Sequence, residues 1–285
     1  MRRTIELCQE QLEFASRNGL LDASVSGGFM SIWGEVLAEM GDLEGALDLV
    51  TRGMESAERG GESLVAGWGY LCLSRVHYSR GDMAGVAAVA RAVERIERES
   101  QMPPWIAAEV AAWEARSWLS QGKLAAASKW ARQRGLLAGD QPKQVDAFEF
   151  YSLNAFVVLA RTLLARERWD EASGLLSRLL EAAEAGERTS KAIEILGLQA
   201  ITAQAKGDIT LALAALENTL TLAEPKGFVQ TFVDEGPPMA HLLDEALGRG
   251  IAPEYVRRLL ATFPAAEPRP AAPTGSPPQE SDLFE

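Results

Sequence analysis

Three arginines, Arg75, Arg116 and Arg161, recur at one register: each stands six residues before a corner that the chain repeats. A guanidinium is a permanently charged, planar fork of N–H donors, and it grips carboxylates and other paired acceptors as lysine does not. Three of them on one face of neighbouring helices make a ladder suited to a sugar, a carboxylate or an extended peptide. Trp68, Tyr78, Glu109 and Asn154 fall on the same faces. They add flat apolar surface and further hydrogen-bonding groups, the mixture that binding pockets use. These seven residues are the candidate ligand-binding set. The plainer alternative is that each arginine pairs with a nearby glutamate and solvates the groove; the equivalent place in the first copy of the corner holds Glu35.

Other chemistry is hard to assemble from this chain. Of the two histidines, His77 falls on a core-facing position of its helix and reads as a packed, hydrogen-bonded side chain, while His241 has no Cys or Glu at metal-ligand spacing. No nucleophile–base pair stands out. Asp234-Glu235 reads as negative charge ahead of a helix N-terminus rather than as an acid/base pair. No catalytic residue, metal or cofactor is therefore expected, and the chain reads as a binding protein rather than an enzyme. Cys8 and Cys72, the two cysteines, lie in helical patterns and read as small buried side chains. So few cysteines fit a reducing cytoplasm.

The elements that must position the seven residues follow from the corner itself. Gly41-Asp42-Leu43-Glu44-Gly45-Ala46 returns as Gly81-Asp82-Met83-Ala84-Gly85-Val86, as Gly122-Lys123-Leu124-Ala125-Ala126-Ala127, as Glu167-Arg168-Trp169-Asp170-Glu171-Ala172 and as Gly207-Asp208-Ile209-Thr210-Leu211-Ala212. A glycine ends a helix in the left-handed conformation without a Cβ penalty. The next Asp caps the following helix. Helices joined by so short a link lie antiparallel. Each corner therefore marks a hairpin, with first helices at roughly 25–40, 64–79, 104–120, 146–165 and 190–205 and second helices at roughly 43–59, 83–100, 124–137, 169–185 and 209–223. The residues seven before each corner, Gly34, Ser74, Ala115, Ala160 and Ala200, are all small, as are Ala46, Val86, Ala127, Ala172 and Ala212 five after it. Small residues in register mark close helix contacts, and a repeat of about 40 residues with this large/small code has the pattern of tetratricopeptide (TPR) repeats with longer helices. The fold expected is an all-α, TPR-like helix-hairpin solenoid wound as a right-handed superhelix, whose hollow side carries the arginine ladder.

Flanking segments complete the reading. Thr4–Ser16 is an amphipathic helix with Ile5, Leu12 and Phe14 available for burial, placed like the second helix of a hairpin. Ala138–Asp146 is the longest internal loop. Lys226–Asp234 contains a β-like run, and Met239–Leu247 and Glu254–Thr262 are two short closing helices. The repeat domain is taken as 1–263, with 264–285 a Pro/Ala-rich linker or tail. The net charge of −12 repels a phosphate backbone, so direct nucleic-acid contact is not expected. No secretory leader pattern and no apolar run near the ~20 residues of a bilayer span is found, so no membrane partner is expected.

The segment Ala223–Leu243 resembles the last repeat of the large ATP-binding LuxR-type transcriptional regulators related to the maltose regulator. The likeness rests on Gly227-Phe228, on Phe232-Val233-Asp234-Glu235-Gly236 and on Pro238-Met239-Ala240-His241-Leu242-Leu243, and the repeats extend it over residues 20–263. The resemblance implies a sensor region that binds an inducer or a protein partner in its concave groove and shifts its parent between resting and self-associating states. It also implies an NTPase module before the array and a helix-turn-helix after it. The chain has neither a G-x-x-x-x-G-K-[ST] loop nor a helix-turn-helix, so it is expected to be the sensor region separated from both. A free-standing TPR scaffold that docks a peptide or partner helix is the other reading.

Overall fold

Each corner closes on a left-handed residue. Gly41, Gly81, Gly122 and Gly207 have φ of 92°, 73°, 70° and 83°, and Glu167 takes the same conformation at φ 60°. The register of the repeat therefore holds even where the glycine is missing, at the conformational cost that any side chain bears there. After the corner, the Asp42, Asp82 and Asp208 carboxylates accept hydrogen bonds from the backbone N–H groups of Gly45, Gly85 and Leu211 at 2.8–3.0 Å. The Gly85 N–H, aided by the nearby His77, lowers the Asp82 carboxyl below its ordinary range. His77 Nδ1 lies 2.9 Å from that carboxylate.

The structure, a computed structural model, describes residues 1–99, 102–138, 141–142 and 153–264. An opening helix α1 (Arg2–Arg17) precedes five hairpins: α2 (Ser24–Glu39) with α3 (Leu43–Arg59), α4 (Ser63–Ser79) with α5 (Met83–Glu99), α6 (Pro104–Ser120) with α7 (Leu124–Gln133), α8 (Leu153–Leu164) with α9 (Trp169–Ala185), and α10 (Thr189–Ala205) with α11 (Ile209–Ala223). A one-turn helix α12 (Gln230–Val233), then α13 (Pro237–Gly248) and α14 (Pro253–Leu260), end the described chain. Helices pack on their sequence neighbours, the arrangement of an all-α TPR-like solenoid. The buried core accordingly runs as successive clusters along the array.

The small positions are where the helices meet. Ala46, Val86, Ala127, Ala172 and Ala212, and Ser74, Ala115, Ala160 and Ala200, are all fully buried. At Gly34 an added Cβ would lie 2.5 Å from Val50 Cγ2. The closest approach of backbone to backbone is Gly27 against Gly53, where a Cβ on Gly27 would lie 2.3 Å from the Gly53 carbonyl oxygen. Gly27→Ala is expected to destabilise the chain by about 1–3 kcal/mol, because backbone must move to admit the methyl. Gly174→Ala, on the exposed side of α9 with nothing nearer than 3.9 Å, is expected to stabilise by roughly 1 kcal/mol through helix propensity. Paired thermal melts check both signs.

Four expectations need correction or limits. Phe14 is exposed; the buried stripe of α1 is Cys8 and Ala15 with Ile5 and Leu12 half-buried, because Phe14 lies on the other side of the helix from them. The second helix of the third hairpin stops at Gln133, since Gly135 turns left-handed (φ 65°) and Leu137–Ala138 then pairs with Gln141–Pro142. The β-like run in 226–234 is a 3-10 turn (Glu224–Lys226) followed by helix α12. The tail 265–285, most of the internal loop and the first residues of the helix expected at 146–165 lie outside the described residues.

Candidate functional site

The first helices of all five hairpins turn one face toward a common cavity of about 600 Å³. Arg75, Arg116, Trp68, Glu109 and Asn154, five of the seven expected residues, line it. Tyr78 and Arg161 do not. Tyr78 is buried behind Arg116, whose guanidinium carbon lies 4.6 Å from the tyrosine ring centre, and its ring tilts against Trp113 at 5.5 Å. Arg161 is buried and joins Arg116 through two shared carboxylates. The ladder thus points to one side of the array, but its arginines are engaged.

Their partners come from across the groove. Arg116 Nη2 lies 2.9 Å from Glu235, and Arg161 pairs with the same carboxylate. Glu194 on α10 lies 3.0 Å from Arg161 Nη2, 3.5 Å from Arg116 Nη1 and 2.9 Å from Lys191. Burial alone would raise the Glu194 carboxyl, but Lys191, Arg161 and Arg116 outweigh it and hold it well below the usual carboxylate range. Arg75 pairs with the buried Glu39 and lies 3.5 Å from Glu35, so the glutamate at the first rung serves the arginine at the second. Pairing with glutamates is what the plainer sequence reading described, yet Glu39, Arg116 and Arg161 are buried rather than solvated, and only Glu35 of the set is substantially exposed.

Residues 228–235, termed the latch, tie the end of the array to its earlier hairpins. The Glu39 backbone oxygen accepts the Val229 N–H at 3.0 Å. Its carboxylate accepts from the N–H groups of Val229 (3.3 Å) and Thr231 (3.0 Å) and from the Thr231 hydroxyl (2.8 Å). A carboxylate from the first hairpin therefore caps α12, which is why this segment winds into a helical turn instead of a strand. Ser79 donates to Asp234 at 2.9 Å and Gln230 Nε2 donates at 2.6 Å. Burial raises the Asp234 carboxyl, against the pull of Arg116 and Arg75. Asp234-Glu235 is thus spent inside the groove and is not a charge before α13. Behind the latch, Phe228 and Phe232 are buried, Phe232 meets Tyr255 edge to face at 6.0 Å, and the Tyr255 hydroxyl donates to the Phe228 carbonyl.

The cavity wall on α6 holds what the sequence reading missed. Trp105 and Trp113 flank Glu109 at four-residue steps, one helix face. Trp68 meets Trp105 edge to face at 6.4 Å. Asn154 donates to Glu109 at 3.0 Å and accepts from Lys191 at 3.2 Å. One line of hydrogen bonds and ion pairs therefore runs from Glu109 through Asn154 and Lys191 to Glu194, Arg161 and Glu235, that is, from cavity wall to latch. The i, i+4 spacing of Trp105, Glu109 and Trp113 is visible in the sequence; nothing local to Glu39 or Glu194 marks them. Among the described residues no cluster of three His, Cys, Asp or Glu could hold a metal ion, and no helix is long and apolar enough to cross a membrane.

Among protein families, the MalT-like TPR region matches residues 1–249. No curated protein is matched by the sequence.

Proposed function

The chain belongs to the MalT-like TPR family, and from that premise we propose that it is the ligand-sensing region of a LuxR-type transcriptional regulator, taking a small-molecule inducer into its central cavity without turning it over. The observation that carries this reading is the cavity itself. Its volume of about 600 Å³ falls in the ordinary range for small-molecule sites, a few hundred to about 1,000 Å³. Its walls come from all five hairpins and from the latch, through Phe228, Thr231, Asp234 and Glu235.

A ligand shifts an equilibrium only by binding one state better than the other. A molecule that touches both the hairpins and residues 228–235 has its full set of contacts only while the latch is closed, so occupancy and closure favour each other reciprocally. In the parent regulator, that bias would be passed to the NTPase and helix-turn-helix modules that the family resemblance implies. Capture of a foreign peptide is less well supported, because the chain's own acidic segment already engages Arg116 and Arg161.

A thermal-shift screen of the chain against small metabolites and sugars tests the reading. The expected result is a saturable rise in melting temperature for a hit, lost in Leu71→Trp, which places a larger side chain on the cavity wall. A hit whose shift survives Leu71→Trp unchanged binds elsewhere and removes the support for the cavity as the sensor site.

A further inference from the structure

Glu109 is the unusual group of the cavity. Of the other buried carboxylates on its walls, Glu39, Glu194 and Glu235 each face an arginine within 3.5 Å, and Asp234 is held by hydrogen bonds from both Ser79 and Gln230. Glu109 instead accepts a hydrogen bond from the neutral Asn154 amide, and no lysine or arginine among the described residues forms an ion pair with it. Lys191, whose charge acts on it, is held by Asn154 and Glu194. Burial raises the Glu109 carboxyl above its ordinary range, and Lys191 and Asn154 only partly oppose this. A half-buried carboxylate with no cation in direct contact is costly, and a cation brought to it relieves that cost.

The surroundings suit such a cation. Trp105 and Trp113 stand one helical turn to either side of Glu109, Trp68 packs edge-on to Trp105, and Trp113 already carries the Arg116 guanidinium 5.2 Å from its ring centre, which leaves Trp68 and Trp105 as the indoles for a ligand's charge. Indole faces attract ammonium and guanidinium groups, more strongly where water is excluded. Acidic side chains also outnumber basic ones along the lining, seven to four, and still exceed them when Arg161, which pairs with Glu194 and Glu235 from behind, is added, a balance that favours positive charge.

We propose that the cavity takes a compact organic cation, an ammonium or guanidinium group on an apolar or aromatic body, with the charge against Glu109 and the body among Trp68, Trp105 and Trp113. This inference rests on the reading of the cavity as the ligand site and names the class of ligand. Through Asn154 and Lys191 the same carboxylate is wired to Glu194 and the latch, so the bound cation sits at the start of the polar line that ends at Glu235.

The test uses the full chain and calorimetric titration with tyramine, phenethylamine and agmatine. The uncharged 2-(4-hydroxyphenyl)ethanol and the anionic 4-hydroxyphenylacetate serve as charge controls. At least one of the cations is expected to bind saturably, with the neutral and anionic analogues at least tenfold weaker. Glu109→Gln keeps the shape and the Asn154 contact, and is expected to weaken the cation at least tenfold while its unliganded melting temperature stays within a few degrees of the parent. Trp105→Leu gives a second variant that alters the wall without touching charge, and is also expected to weaken binding. Equal binding of all three charge types, or cation binding that Glu109→Gln leaves unchanged, overturns the cation assignment while leaving the cavity as a ligand site. If none of the cations binds, the assignment falls as well. If bound probes ignore Leu71→Trp, both the assignment and the cavity reading fall.

Discussion

Arg161→Ala is expected to cost the folded chain about 3–5 kcal/mol, the range for removing one partner from a buried, hydrogen-bonded ion network. The side chains of Arg116, Arg161, Glu194 and Glu235 are each at most 12% exposed, so solvent cannot replace the lost guanidinium. Without it, Glu235 faces Arg116 alone and Glu194 keeps Lys191 and the longer contact to Arg116. Urea denaturation at neutral pH measures the loss. A loss below about 1 kcal/mol would place the network with solvent-exposed pairs and remove it as the closure device. Replacing all four residues together by apolar ones of similar size is expected to be far milder, because no unpaired charge remains.

Acid should attack the same network, and the sign can be worked out. The folded Glu194 carboxyl lies below its unfolded value, which is near 4.3. Its stabilising contribution is therefore complete above that value and is lost as pH falls toward the folded pKa. Asp234 and Glu109 shift the opposite way: both bind protons more tightly when folded, so protonating them favours the fold. Glu194→Gln should thus flatten the acid limb of the stability curve, and Glu109→Gln should not.

Phe232→Ala is expected to cost about 3–5 kcal/mol, as truncation of a fully buried aromatic does, and to release the latch selectively. Phe232 is 1% exposed and packs on Tyr255, so it anchors residues 228–235 to the last helices while Glu39 and Glu235 tie the segment to the hairpins. Hydrogen exchange read by mass spectrometry is the discriminating measurement. The amides of 228–235 should lose protection before those of α10 and α11 do. Fluorescence of the cavity tryptophans should become more accessible to acrylamide. Loss of protection spread evenly over the whole array would mean that the segment is ordinary core and that the array has no separable closing element.

Much of the architecture could be read from the residues alone. The corners at 41, 81, 122 and 207 are legible because a left-handed residue at a helix end strongly favours glycine, and at three of them, Asp42, Asp82 and Asp208, the next residue has a short-range capping role. The small residues on facing helices are legible because they recur in register. Local rules of this kind depend on near neighbours, and near neighbours are what a sequence displays. The direction of the arginine ladder belongs to the same class: it follows from helical periodicity once the corners are placed.

The occupants of the groove were decided by the tertiary structure. Lys226–Asp234 has strand-like residue types, yet it winds into a helical turn because Glu39, about 190 residues earlier in the chain, offers its carboxylate to the Val229 and Thr231 N–H groups. Asp234-Glu235 has the composition of an exposed cap, yet Glu235 is buried between Arg116 and Arg161. A buried charge is governed by whichever opposite charge the winding of the array brings to it, and that proximity is a property of the whole solenoid rather than of any stretch of it. Amino-acid types and spacing determined the hairpins and the side on which their arginines stand; only the closure of the array decided what those arginines hold, because electrostatic partners far apart in sequence are chosen by distance in space.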